Sequence, residues 1–328
     1  MVVPTLRAAV RLLPDPLWQA AGYHFGWVDQ RGHAVAGGGG KMIRPVLTLL
    51  SAEAVGGVAT GAVPAAVAVE LVHNFSLLHD DVMDGDRTRR HRPTVWAVFG
   101  IPTAILAGDA LWALALRVLA DTDADDAGPR AARGMRMLSV ALELLMAGQS
   151  ADMDFEARAD VGLRECQAMV AGKTGAVLGC ACALGALFGG GSPHQIDCLR
   201  QMGEWLGSAF QVVDDVLGIW GDPAVTGKPV HSDLRNRKKS LPVVAALGSG
   251  TAAGAELARL YRLDRSLTDA EVDRAALLVE AAGGRSWAQQ QAQDCLAAAL
   301  TSLREATPAP VPAAELAALA ALITHRDH

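Results

Sequence analysis

Aromatic residues are scarce in this chain, at 5% of 328 residues, with only two tyrosines. Strand-rich cores draw on aromatic and β-branched side chains, so a mainly β fold is disfavoured. Neither sign of charge is in large excess: 29 lysines and arginines stand against 35 aspartates and glutamates, a net charge of −6. That excludes the basic footprint of a nucleic-acid binder. Cysteine is also sparse. Cys166, Cys180, Cys182, Cys198 and Cys295 are odd in number and lack the CxxC spacing of zinc or redox sites. They read as buried, reduced thiols of a cytoplasmic protein. The longest apolar stretches, 137–148 and 175–189, are too short or carry charge, which argues against a transmembrane segment. Arg7 and Arg11 interrupt the apolar start, so no signal peptide is expected.

What the chain does contain is alanine and leucine, within a hydrophobic share of 51%. Apolar residues recur with helical spacing, as at Val67, Leu71, Phe75 and Leu78 between Pro64 and Met83. A glycine turn at Gly37–Gly40 precedes a helix from about Lys41, and Pro102 opens another that runs to Leu119. Further helices are predicted over 130–157, 162–187, 194–220, 238–248, 252–262, 268–282, 284–305 and 312–325, with a loop over 222–236. The expectation is an all-α single domain over 1–328, a bundle of about ten or more helices, with residues 1–20 loosely held.

The sharpest chemical signal is Asp80-Asp81-Val82-Met83-Asp84, followed by Arg87, Arg89 and Arg90, with Asp214-Asp215 far along the chain. Crowded carboxylates repel and are costly to bury, so a cation is expected among them. Asp80 and Asp84 fall on one helical face, and hard oxygen ligands of this kind suit Mg²⁺ bridging a phosphorylated substrate. The pair His79-Asp80 also fits an HD-type phosphohydrolase, but His73 and His79 are six residues apart and lie on different helical faces. Taken singly, Lys41 or Arg44 reads as a solvated residue and His73 as a core histidine. Asp152 and Glu156 suit a structural role as well as a site role.

Many such pieces occur in order. Gly39-Gly40-Lys41-Met42-Ile43-Arg44-Pro45, Glu70-Leu71-Val72-His73, the first aspartate motif with Arg89-Arg90-His91-Arg92-Pro93-Thr94, and Ala107-Gly108-Asp109 come first. Gly148-Gln149 with Asp152, Lys173-Thr174-Gly175, Phe210-Gln211 with Asp214-Asp215, Thr226-Gly227-Lys228, Ser232-Asp233 and Lys238-Lys239-Ser240 follow. From about Gly38 to Arg326 the chain resembles the trans-isoprenyl diphosphate synthase (polyprenyl synthetase) family, and geranylgeranyl diphosphate synthases within it.

The resemblance implies the isoprenoid synthase fold, with its helices around a central cavity. It implies condensation of isopentenyl diphosphate with an allylic diphosphate through ionisation, condensation and elimination. Three Mg²⁺ ions are implied, held by Asp80 and Asp84 and by Asp214 helped by Asp233, with Asp81 and Asp215 orienting bound waters and lysines. Arg89, Lys173, Lys228 and Lys238 match the allylic diphosphate ligands. Lys41, Arg44, His73 and Arg90 match a separate, metal-free pocket for isopentenyl diphosphate, so that Arg89 and Arg90 direct one guanidinium at each substrate. Thr174 and Gln211 are implied to steady the carbocation, and the released diphosphate to take the proton. Lys238, rather than its neighbour Lys239, is the lysine expected to point inward. Family members are usually homodimers.

Chain length in this family is governed by bulk before the first motif; Phe75, with small Ser76 beside it, implies a C20 product, with C15 next. The chain departs from the pattern at Gly218, where a third carboxylate usually stands, and at His91 and His231, where glycine is common. A class I terpene cyclase on the same fold is the alternative enzyme, and an inactive regulatory subunit the alternative without activity.

Overall fold

The computed structural model describes residues 1–35, 40, 42–122, 128–222 and 230–324. The described chain is all-α apart from one short hairpin and an isolated bridge between Val28 and Ala34. It divides into two compact units.

The first unit comprises Met1–Val140, Cys180–Arg200 and Glu305–Leu316. Its axis is helix α4 (Val63–Met83), with α1 (Val2–Val10), α2 (Leu17–His24) and α3 (Ile43–Ala54) before it. Pro64 falls in the first turn of α4, where its missing N–H has no helical partner to lose. Thirteen residues of α4, from Ala65 to Asp81, are buried on several faces, as expected of a helix that is apolar nearly all round. It packs most extensively against α6 (Ile101–Ala120), and α1 and α3 also lie on it. Gly108 of α6 makes that contact close. A Cβ there would stand 2.4 Å from His79 Nε2 and 3.4 Å from the Phe75 ring. The terminal segment expected to be loose contains α1, whose Leu6 and Val10 are each 1% exposed.

Between α4 and α5 (Val95–Phe99) runs a hairpin of β1 (Thr88–Arg89) and β2 (Arg92–Pro93), with Arg89 opposite Arg92. Arg90 (φ 51°) and His91 (φ 61°) form its two-residue loop, and both are left-handed. Two positive-φ residues match the right-handed twist of flanking strands, which is why glycine suits this turn. The hairpin base is clamped where the Asp86 carbonyl accepts from Thr94 Oγ1 and Trp96 Nε1, each at 2.8 Å.

The second unit comprises Ala141–Gly179, Gln201–Arg304 and Ala317–His328. It takes residues from α7 (Gly128–Ala157), α8 (Leu163–Val170), α9 (Ala176–Phe188) and α10 (Pro193–Trp220). The short α11 (Ser232–Arg235) follows, then α12 (Leu241–Leu247), α13 (Ala252–Tyr261), α14 (Asp269–Ala281) and α15 (Gly284–Glu305). The last helix, α16 (Pro310–Thr324), also ends in this unit. One apolar cluster joins Ile219, Leu234, Val243, Leu257 and Val279. Another joins Phe155, Cys166, Met169, Val212 and Leu241. Thr268 and Glu271 form a reciprocal cap at the start of α14.

The long predicted helices are present with shifts of one to three residues at their ends, except that 162–187 is interrupted. Residues Ala171–Gly175 make a π-helical turn between α8 and α9. The glycine turn at 37–40 lies outside the described residues, except for Gly40. Three helices are long and apolar enough to cross a membrane by length and composition: Ala59–Met83, Ile101–Ala120 and Leu163–Phe188. Length therefore does not exclude a span, contrary to the sequence argument. The most apolar windows of the first and third are 72% and 83% buried within the protein.

The left-handed His91 generates a prediction. An L-residue with a Cβ is strained there by about 1 kcal/mol, and His91 is exposed. His91→Gly should raise unfolding stability by about 1 kcal/mol in denaturant titration, less the added chain entropy of glycine. A loss of stability would contradict the strain assigned to this turn.

Candidate active site

In the first unit the aspartate motif ends α4. Asp84 caps the helix and donates its N–H to the Asp80 carbonyl at 2.8 Å. Carboxylates at a helix C-terminus meet the negative end of the macrodipole, so the arrangement favours an incoming cation. Asp80 is half-buried and Asp84 exposed, whereas Asp81 is 1% exposed. Asp81 Oδ1 accepts from Arg89 Nε at 2.6 Å, while its Oδ2 is enclosed without a partner. Burial raises its carboxyl above the usual range, against the pull of Arg89.

That ion pair ties the motif to a basic cleft of about 300 Å³, which Arg89, Arg90, Arg92 and Asp81 line together with Tyr23 and His24. The structure thus lines one cleft with both Arg89 and Arg90. Arg92 is committed to the scaffold: it donates to the carbonyls of Tyr23 (3.3 Å) and Val28 (3.4 Å) and lies over the Tyr23 ring. Gly40 is close to Arg90, since a Cβ on it would be 3.1 Å from the guanidinium.

Arg44 and His73 lie beside this cleft electrostatically. Burial lowers Arg44 to about 10, while Glu70 opposes the shift. Burial, with the charges of Arg44 and Arg90, holds His73 well below its ordinary value and so neutral. Glu70 is 5% exposed, and burial raises it. Its carboxylate and its carbonyl both accept from Asn74 Nδ2, at 3.0 and 2.7 Å. Phe75 packs edge-on against His79 with centroids 4.7 Å apart, and Ser76 Oγ donates to the His73 carbonyl at 2.9 Å. Lys41 lies outside the described residues.

In the second unit, Lys173 and Thr174 sit on the π-helical turn. A single π turn re-aims side chains and is frequent at functional positions. Glycines pin this one from two sides. A Cβ on Gly148 would be 2.4 Å from the Lys173 backbone nitrogen, and one on Gly207 would be 2.7 Å from the Gly175 Cα. Lys173 Nζ donates to Asp152 Oδ2 at 2.6 Å, which decides Asp152 as the residue that positions this lysine.

Thr174 Oγ1 donates to Gln211 Oε1 (2.9 Å), and Gln211 Nε2 donates to Asp215 Oδ1 (2.9 Å). The remaining Asp215 oxygen accepts from the Leu241 N–H at 2.9 Å, at the start of α12. Both Asp215 oxygens are thereby engaged by protein, and burial pushes its carboxyl up to about 6. Asp214 is exposed beside it. The second residue of each aspartate motif is thus the buried one, holding neighbouring groups in place, and the first is the more exposed.

Asp233 and Lys238 come together because the Lys238 N–H donates to the Asp233 carbonyl at 2.9 Å. Burial alone would lower Lys238, but Asp215, Asp233, Asp152 and Asp214 together raise it above the usual lysine value. Lys239 turns elsewhere, donating to the Glu156 carbonyl at 3.3 Å. Lys228 lies outside the described residues. His231 (φ 60°) is left-handed, as position 91 is, and its Nδ1 is 3.4 Å from Asp273.

Gly218 has a steric reason. A Cβ there would stand 2.4 Å from Asp233 Oδ2, so the Asp233 carboxylate occupies the space a side chain at 218 would need. Among the described residues, no group of three or more His, Cys, Asp or Glu side chains is gathered closely enough to hold a metal ion. Enclosed polar atoms without partners do concentrate on motif positions: Arg44 Nε, Asp81 Oδ2, both amide atoms of Gln149, and Ser240 Oγ. Buried groups left in this state await a ligand or water. Sequence reasoning missed His24, because nothing in the spacing of an N-terminal helix pointed to it.

The steric relation at Gly218 can be tested. Gly218→Ala should displace the Asp233 carboxylate and cost about 1–3 kcal/mol in thermal or chemical unfolding. Gly218→Asp should be at least as damaging, since it adds a carboxylate where one already stands. Wild-type stability in both variants would remove the proposed exclusion.

Residues 26–279 match the polyprenyl synthetase family model. A geranylgeranyl diphosphate synthase of Mycobacterium tuberculosis is 46% identical over 99% of this chain and 91% of its own length. A (2E,6E)-farnesyl diphosphate synthase of the same organism is 44% identical over 100% and 91%. The crystal structure of a Streptomyces coelicolor polyprenyl synthetase superposes with a TM-score of 0.93 at 47% identity, covering 98% of this chain and 96% of that one. A Corynebacterium glutamicum geranylgeranyl pyrophosphate synthase, solved with isoprenyl diphosphate and magnesium, superposes with a TM-score of 0.84 at 26% identity, covering 98% of each chain. This chain belongs to the polyprenyl synthetase family, and it is a trans-prenyltransferase.

Proposed function

We propose that this enzyme condenses isopentenyl diphosphate with an allylic diphosphate and releases a C20 chain, geranylgeranyl diphosphate. The observation that carries this reading is the arginine cleft beside the first aspartate motif, which offers a second diphosphate its own cations. A terpene cyclase binds one diphosphate and gains nothing from such a cleft. An inactive subunit has no use for a lysine held at 2.6 Å on a π turn.

Magnesium suits the donors present. Mg²⁺ keeps several waters and is commonly bound by one or two carboxylates plus substrate phosphates, so a closed protein cage is not required. Asp80 and Asp84 would hold it in the first unit, and Asp214 with Asp233 in the second. When bound, it supplies Lewis-acid neutralisation of diphosphate charge.

The protein's own residues do the rest. Lys173, aligned by Asp152, and Lys238 stabilise negative charge growing on the departing allylic diphosphate, with Lys228 and Arg89 as further ligands. Arg90, Arg44, His73 and Lys41 orient isopentenyl diphosphate. Thr174 and Gln211 present oxygen dipoles to the cation, and the released diphosphate takes the proton from the new chain. Phe75 is the floor that stops elongation.

We also assign a second copy of this chain as partner, because α6 leaves Ile101 and Leu106 more than half exposed on an apolar helix. The five cysteines are all buried thiols, which supports a cytoplasmic setting.

Purified protein with Mg²⁺, isopentenyl diphosphate and C5, C10 or C15 primers should yield linear C20 product on chromatography. A cyclic hydrocarbon from one substrate, or no turnover, would overturn the reading. Phe75→Ala should lengthen the product, and an unchanged profile would remove its role as floor. Light scattering should give the mass of a dimer, and Leu106→Glu should convert it towards monomer; a monomeric wild type would refute the pairing.

A further inference from the structure

His24 stands at the C-terminal end of α2 and lines the arginine cleft. Its Nε2 is enclosed and has no hydrogen-bond partner. Beside it, Asn74 Nδ2 donates to Glu70 Oε1 at 3.0 Å, and the Glu70 carboxylate acts on Arg44. The scaffold around the histidine is fastened: Tyr23 Oη donates to the Pro93 carbonyl at 3.0 Å, and the Tyr23 ring packs edge-on against Phe99 at 5.3 Å. The imidazole thus sits on a fastened scaffold, with its Nε2 unpartnered in a cleft that Arg89, Arg90 and Arg92 also line.

The groups around it have a definite charge. Arg89, Arg90 and Arg92 approach from the hairpin, and His73 approaches from α4. Asp81 lines the same cleft, already paired with Arg89. Burial and the three guanidiniums hold His24 down at about 3, so it is neutral in the empty cleft. A diphosphate entering there brings several negative charges and reverses that field. It also brings acceptor oxygens, and a protonated imidazole offers them an N–H from either ring nitrogen in a charge-assisted bond.

We propose that His24 is a further ligand of the diphosphate bound in the arginine cleft, and that it takes one proton from bulk solvent as the diphosphate arrives. This rests on the reading of the cleft as the isopentenyl diphosphate site. The ligand chemistry is a diphosphate monoester or free diphosphate, and the two sources are separated by the test.

Inorganic diphosphate and isopentenyl diphosphate are each titrated calorimetrically into the full-length protein without Mg²⁺, in two buffers of different ionisation enthalpy at pH 7.5. Wild type should take up about one proton per cleft, and His24→Gln should abolish that uptake. His24→Ala should weaken both ligands about tenfold, as expected for loss of one charge-assisted hydrogen bond. It should raise KM for isopentenyl diphosphate by a similar factor while KM for the allylic substrate stays unchanged. Melting curves of both variants establish that they fold, and His24→Gln preserves size and polarity if the alanine variant does not. Unchanged affinity and uptake in a folded His24→Gln protein would overturn the proposal. So would uptake that persists in His24→Gln and vanishes in His73→Gln, which places the proton on the neighbouring ring. If wild type binds inorganic diphosphate with His24-dependent uptake but does not bind isopentenyl diphosphate, the ligand role stands and the functional reading falls. If wild type binds neither, both fall.

Discussion

The ion pair between Asp81 and Arg89 is the contact on which the first unit's chemistry depends. Carboxylates crowded at a helix end repel one another, as do guanidiniums crowded around a hairpin. Interlocking the two sets at 2.6 Å makes each the other's counter-charge. Removing Arg89 would leave the buried Asp81 carboxylate unpaired, a loss of about 3–5 kcal/mol, whereas the partly exposed Arg89 would lose less without Asp81. The pair also fixes the direction of Arg89, and through the two-residue loop that of Arg90. A net stabilising role is secondary here, because burying both charges already costs much of what their attraction returns. What the pair secures is geometry.

The second unit solves the same problem with backbone rather than charge. Gly148 and Gly207 bring neighbouring helices against the π turn, so Lys173 and Thr174 are placed by main-chain contact and cannot drift. Strain gathers around these groups. Six described residues are left-handed without being glycine; Met42, Arg90, His91, His231 and Arg237 lie within two positions of residues assigned to substrate or metal, and Thr307 does not. Such conformations persist only where the surroundings over-determine them. Preorganised charge and stored strain are two descriptions of one investment in rigidity.

Much of this was legible in the residues. Helix α4 was readable from Pro64 and the spacing of Val67, Leu71 and Phe75, because periodicity and a proline start agree. The choice of Lys238 over Lys239 came from the family resemblance, since two adjacent lysines do not separate by residue type alone. The π turn was not legible, because an inserted residue leaves the apolar pattern of 162–187 intact and the cause lies in glycines distant in sequence. Helices α1 and α2 escaped because they are short, nine and eight residues, and too few turns repeat for an apolar stripe to stand out. His24 escaped because a histidine's role depends on which charges fold up against it, and spacing along the chain carries no such information. His91 and His231 stand where the family commonly has glycine, and their shared left-handed geometry explains why glycine suits both positions.

Gly218 and Asp233 form a locked exchange. One element has given up a side chain, and the carboxylate of another fills the vacated volume. Neither position can change alone without a collision or a void, so the way back to a third aspartate on α10 passes through a damaged intermediate. A carboxylate at 218 would therefore need the Asp233 side chain to turn away or α11 to shift against α10.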